Sequence, residues 1–446
     1  MKKTCLLFFL LFLASFVFPK YGSASEDLQD LIDSAQEGAI IKLENKTYKG
    51  NITINKKVEI IGGSQTIIKG DGMGNVVSIH APGVIMRSLT ITNSSMDRNS
   101  SEEYSAIKVY SNGNLLDRIK ISHSFHGIYL SQAHGNTVQN SEIKGLGKGK
   151  IASQGNGLHV YYANHNTLKN NKITGTRDGM FFDYSNENTI TNNKISHTRY
   201  GLHYMYSDRN SFKNNIFFFN TGGAAVMHSS GLNLSKNQFL FNYGHRSFGI
   251  LLLSANQIEI EDNTFFLNQR GLYIDQSTSN SIRNNRIIKN QIGVELWASS
   301  NDQVFSANQI HENTIPAVSL GGQGQNSWSE NGIGNDWGKT FPSLDLDGNG
   351  KGDEPIVYQS SLHQLIEDYE LTYLFLKSPA IAVYEKMNAL LKNNNKTMFE
   401  DPYPLVRQNR IDIPLAWVLI GTVIFTILIK GRHWICIMFG KNGRKI

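Results

Sequence analysis

A glycine beat constrains this chain more than any other feature. Gly127, Gly157, Gly179, Gly201, Gly223, Gly249, Gly271 and Gly293 each open the same short phrase, mostly 22 residues apart, with one interval of 26 and one of 30. The residues after each glycine alternate, as in Gly201-Leu202-His203-Tyr204-Met205. Asparagine recurs in step at Asn171, Asn193, Asn215, Asn237, Asn263 and Asn285. A fixed period of about 20 residues marks a solenoid. This one is too short for paired helices and too rich in Gly, Asn and β-branched residues.

Each phrase reads as one coil of a right-handed parallel β-helix, so the fold class is all-β. The first and third positions after the glycine are apolar and point inward: Leu202 and Tyr204, Val226, Ile250 and Leu252, Leu272 and Ile274, Val294 and Leu296. The second and fourth point outward. The asparagines are expected to stack at one corner, where a left-handed backbone is tolerated and each amide bonds the next coil. A leucine-rich horseshoe is the rival solenoid, but its leucine spacing is absent.

The ends differ from the body. Lys2 and Lys3 precede an apolar run from Leu6 to Phe18, with small residues at Gly22-Ser23-Ala24, so residues 1–24 read as a signal peptide. Ile411 to Ile429 is apolar apart from Asp412, Thr422 and Thr426, long enough for one transmembrane helix. The basic tail, residues 430–446, then places the C-terminus in the cytoplasm and the solenoid outside. The three lysines of residues 1–24 and the five basic residues of 430–446 exceed the whole net charge of +6. The body between them is therefore slightly acidic, and nucleic acid is not the expected partner. Both cysteines, Cys5 and Cys436, lie in those ends, which leaves the exported part without a disulfide or a thiolate metal site.

Residues 25–75 read as a cap helix, with Leu28, Leu31, Ile32 and Ala35 on one face, and an opening coil. The repeats run over 76–320, with polar insertions at 93–105 and 145–156. Residues 321–377 hold a Gly/Trp segment and an acidic loop. Residues 378–410 form a C-terminal helical segment and linker, started by Ser378-Pro379. The stripe Ile381, Tyr384 and Met387 on that helix is the candidate docking face.

Outward residues at equal positions in successive coils form columns spaced by about 4.8 Å. Met205 and Met227 are neighbours in one column, with Asp183 a coil below. His203 sits beside Met205, and His228 follows Met227. Thioether and imidazole without thiolate suit copper, above all Cu(I). The plain alternative is an apolar ridge covered by a loop or partner. Asp275 and Glu295, roughly 8 Å apart by strand geometry, are the one pair compatible with acid–base work of a carbohydrate-active enzyme. They also read as solvated face residues. Asp345, Asp347, Asn349 and Asp353, with Gly350, match the first part of a calcium loop, though Ile356 stands where a bidentate glutamate is expected.

A set of phrases gives the chain a resemblance. They are Arg177-Asp178-Gly179-Met180-Phe181, Arg199-Tyr200-Gly201-Leu202-His203-Tyr204-Met205-Tyr206-Ser207 and Gly223-Ala224-Ala225-Val226-Met227. Gly334-Asn335-Asp336-Trp337, Asp345-Leu346-Asp347-Gly348, Ser378-Pro379 and Asp401-Pro402-Tyr403-Pro404-Leu405 continue them. Together they resemble the NosD family of β-helical accessory proteins for nitrous oxide reductase maturation. The resemblance implies a non-enzymatic role outside the membrane. It implies as partners an ABC-transporter ATPase with its membrane subunit, nitrous oxide reductase, and a small copper chaperone that delivers the cargo.

Overall fold

The computed structural model describes residues 27–146, 149–244, 246–322, 324–391 and 396–406. The expected signal peptide, membrane span and basic tail lie outside the described residues. Among the described residues no helix is long and apolar enough to cross a membrane.

Three parallel sheets of 12 strands each wind around one core, and each coil contributes one strand to every sheet. The bridges Val304–Ser327 and Gln309–Asp336 add a partial turn beyond the last full coil. The solenoid is of the right-handed type read from the repeats. It begins earlier than the glycine beat, since Ile40–Lys42 already pairs with Glu59–Ile61. The third sheet holds the longest strands, including Asp178–Asp183, Tyr200–Met205, Gly222–Ser230 and Phe248–Asn256.

The inward register follows the sequence. Leu202, Val226, Leu252, Leu272 and Ile274 have no exposed surface, and the rings of Phe217, Phe239 and Phe265 stack at 5.1 Å through the core. The glycines are required by close approach. A Cβ on Gly201 would sit 2.7 Å from the Gly223 carbonyl oxygen and 2.7 Å from the Phe217 ring.

The asparagine ladder is real and extends further than expected. Each backbone N–H donates to the side chain one coil on, from Asn171 through Asn193, Asn215, Asn237, Asn263, Asn285 and Asn308 to Asn335. The Asn335 N–H then donates to buried Asp401, at 2.7 Å. Two more ladders run through Asn114 to Asn210 and Asn220 to Asn313, so the stacking is not confined to one corner. The left-handed backbone belongs to the residue before the ladder asparagine, as at Asn170, Asn192 and Asn214.

Both solenoid ends are covered, as open strand edges require. Helix α1 (Leu28–Ser34) buries Leu28 and Ile32, and Gln29 exchanges two hydrogen bonds with the Thr53 backbone. At the far end Trp328 stacks on Phe305 at 4.3 Å and Trp337 on Phe399 at 4.0 Å. Phe399 lies in Lys396–Asp401, which pairs antiparallel with Ile356–Ser360. Between these strands come α2 (Leu362–Asp368), a 3-10 turn at Glu370–Leu374 and α3 (Pro379–Leu391).

Candidate functional site

The outward columns of the third sheet are those read from the repeat. Tyr161, Asp183, Met205, Met227 and Leu253 pair in register, and so do His159, Phe181, His203, Ala225 and Leu251. Met205 and Met227 are thus direct cross-strand neighbours, both half-buried, with His203 on the same face. Burial raises the Asp183 carboxyl from its ordinary value, offset in part by His203.

His203 is held tightly. Its ring lies 4.7 Å from Phe181 and 5.4 Å from Tyr200. Its Nδ1 is 3.1 Å from Oδ2 of Asp178, a carboxylate with almost no exposure that also pairs with Arg199. Burial pushes the Asp178 carboxyl up, but hydrogen bonds and charge from His203 and Arg199 outweigh it, and the net shift is downward. His228 takes another position. Its backbone is left-handed (φ 49°) and its exposed ring stacks on Tyr206 at 5.1 Å, ending the corner ladder Tyr162, Tyr184, Tyr206. The strand turns at that residue, which separates His228 from the Met205–Met227 face.

Sequence reading missed Asp178 and Arg199, although both stand in the phrases that open two coils. The signal available was a charge one or two residues ahead of the glycine, Asp178 before Gly179 and Arg199 before Gly201. It also missed a cluster of Glu103, His126 and His159, whose potential ligand atoms lie within 4.8 Å of one another. Chemistry closes that cluster to a metal at His126. The Asn156 N–H donates to His126 Nδ1 at 2.9 Å, so the neutral ring carries its proton on Nε2, the nitrogen left over. Burial drives His126 down to about 3, so the ring stays neutral.

Beyond Met227 the face becomes apolar. Ala225, Phe248 and Leu251 form a second buried cluster, with Tyr200, Met227, Leu253 and Tyr273 packed on it. The C-terminal segment leans over the next coils. Glu295 is not the solvated residue expected: it accepts from Arg270 Nε at 2.6 Å and Tyr373 Oη at 3.1 Å, and is 1% exposed. Asp275 accepts from Ser299 Oγ at 2.8 Å. No free acid–base pair remains in these two. A groove of about 610 Å³ runs between sheet and segment, lined in part by Tyr200, Phe248, Tyr273, Trp297 and Tyr373.

The docking stripe divides. Ile381 and Tyr384 pack on the protein's own core, so they are not a free face. Met387 is 55% exposed, with Val383 and Leu390 exposed beside it. In the acidic loop, Asp345 accepts from the Asn349 and Gly350 N–H groups, Asp347 from Asn349, and Asp353 from the Leu346 N–H. The loop carboxylates bond their own backbone, and calcium gains no support.

Residues 146–340 match the family described as "Periplasmic copper-binding protein (NosD)". Two curated relatives, from Stutzerimonas stutzeri and Pseudomonas aeruginosa, are each called "Probable ABC transporter binding protein NosD". Both are 27% identical over 138 residues, covering 31% of this chain. The match spans about a third of the relatives' own length, 31% and 32%. Among solved structures, the periplasmic alginate epimerase AlgG overlays with a TM-score of 0.51 at 13% identity, covering 68% of this chain and 82% of that one. At that identity the likeness is one of fold.

Proposed function

We propose that this chain, which matches the NosD family over residues 146–340, carries copper as cargo on the third sheet, at His203, Met205 and Met227. The carrying observation is the direct pairing of Met205 with Met227 beside a histidine whose Nδ1 is already bonded to a carboxylate. Two soft thioethers and one imidazole nitrogen favour Cu(I) over zinc or calcium. The residues' own work is to hold the ion and to keep the surroundings half-dry. The copper belongs to extracytoplasmic assembly of the nitrous oxide reductase centres, received from a small copper chaperone and worked with an ABC-type transporter. The exposed apolar residues Val383, Met387 and Leu390 are the part of α3 offered to the transporter's membrane subunit. The carbohydrate-enzyme alternative loses support because Glu295 is buried in an ion pair.

The test is Cu(I) titration of the full chain under reducing conditions against a chromophoric chelator. Met205→Leu with Met227→Leu keeps volume and apolarity, so a packing role survives the change and a ligand role does not. Undiminished Cu(I) binding by the double variant would retire the site and leave the pair as a partner-binding ridge.

A further inference from the structure

We infer that Asp178, locked by Arg199, is the positioning residue of this site, fixing the His203 proton on Nδ1 and presenting Nε2 to the metal. The inference rests on the copper reading above and adds how the imidazole is prepared for it.

Four donors converge on the Asp178 carboxylate. Arg199 Nε donates to Oδ1 at 2.8 Å and Arg199 Nη2 to Oδ2 at 2.5 Å; the Tyr200 N–H reaches Oδ1 at 3.3 Å and His203 Nδ1 reaches Oδ2 at 3.1 Å. A carboxylate offers about four lone-pair sites, so Asp178 has none left for a metal. It stands behind the ligand. An ionised carboxylate only accepts, and the guanidinium fork holds it ionised. The 3.1 Å contact therefore requires hydrogen on His203 Nδ1. Arg199 Nη2 also lies 3.3 Å from that nitrogen. Nη2 carries two hydrogens, one of which goes to Oδ2; because that ionised oxygen can only accept, the shorter 3.1 Å contact assigns the hydrogen to His203 Nδ1.

A neutral imidazole with Nδ1–H keeps its lone pair on Nε2, on the far side of the ring from Asp178. Metal-binding histidines recurrently have such a carboxylate behind them, which sets the tautomer and raises ligand basicity. The ring cannot turn away easily, since Phe181 and Tyr200 flank it and the Arg199 guanidinium lies 4.5 Å over Tyr200. His126, on the same sheet, is the control supplied by the fold. Its Nδ1 accepts an N–H, so its Nε2 keeps the hydrogen and offers no lone pair.

Two measurements on the full chain test this. Nitrogen spectra of the metal-free protein, labelled with 15N at histidine and assigned by comparison with His203→Gln, should show His203 as the Nδ1–H tautomer. In Asp178→Asn the signal should move toward a mixture of tautomers, and Cu(I) affinity should fall by about 10–100-fold. A wild-type His203 protonated on Nε2 would overturn the inference even if the variant failed to fold. A folded Asp178→Asn protein with wild-type Cu(I) affinity would overturn it as well. If Met205→Leu with Met227→Leu keeps full Cu(I) binding while His203 remains Nδ1–H, the copper reading has failed and the positioning role falls with it, though the tautomer stands.

Discussion

Glu295→Ala should open the C-terminal segment without unwinding the solenoid. In the native protein Arg270 and Glu295 are 4% and 1% exposed and joined at 2.6 Å. The Arg270 guanidinium lies 4.2 Å over the Tyr373 ring, whose hydroxyl donates to the same glutamate at 3.1 Å. Removing the carboxylate leaves a buried guanidinium without its counter-charge, a loss of about 3–5 kcal/mol. Tyr373→Phe deletes only a hydrogen bond to a charged group, about 1.5–3 kcal/mol. Arg270→Met combined with Glu295→Leu should recover most of the loss, because well-packed apolar residues replace a buried ion pair at little or no penalty. Coils interact mainly with their neighbours, so the damage should stay local. Urea unfolding gives the energies, and amide exchange over 361–376 reports whether the segment has lifted. A Glu295→Ala protein with less than about 1 kcal/mol of lost stability, the range of exposed pairs, and unchanged exchange would refute the reasoning. So would a double variant no more stable than Glu295→Ala.

Leu252→Asp should destabilise the folded chain by about 2–5 kcal/mol from lost packing alone, with an unpaired buried charge adding to it; an unchanged melting temperature would refute the inward register. Asp178 is held below its ordinary value in the folded state, so its contribution is present above the unfolded pKa and disappears as pH falls through the folded one. Acid unfolding of Asp178→Asn should therefore lack part of the wild-type slope below the usual aspartate range, and an identical slope would contradict the network. Met387→Lys should release a transporter partner in pull-down with the fold intact, whereas Ile381→Lys should loosen the C-terminal module itself; the reverse pattern would mean the exposed side of α3 is not the docking face.

The sequence determined the solenoid, its inward register and the neighbours along each outward column. Periodicity suffices for that, because a strand has only two faces and a coil of fixed length puts equal positions above one another. Met205 and Met227 were legible as a pair for this reason, whereas the acidic loop read as the first part of a calcium site and its carboxylates bond their own backbone instead. Tertiary structure alone decided what lies between columns or arrives from elsewhere in the chain. Asp178 reaches His203 diagonally across coils, a relation set by side-chain length and rotamer. Glu295 looked solvated because its partner Tyr373 comes from 78 residues away. Ile381 and Tyr384 looked free because an amphipathic stripe says that a face is covered, never by what. His228 was placed with the methionines until the backbone turned at that residue. Repeat spacing specifies what recurs; the charge network behind His203 and the segment over Glu295 occur once, and single contacts leave no period to read.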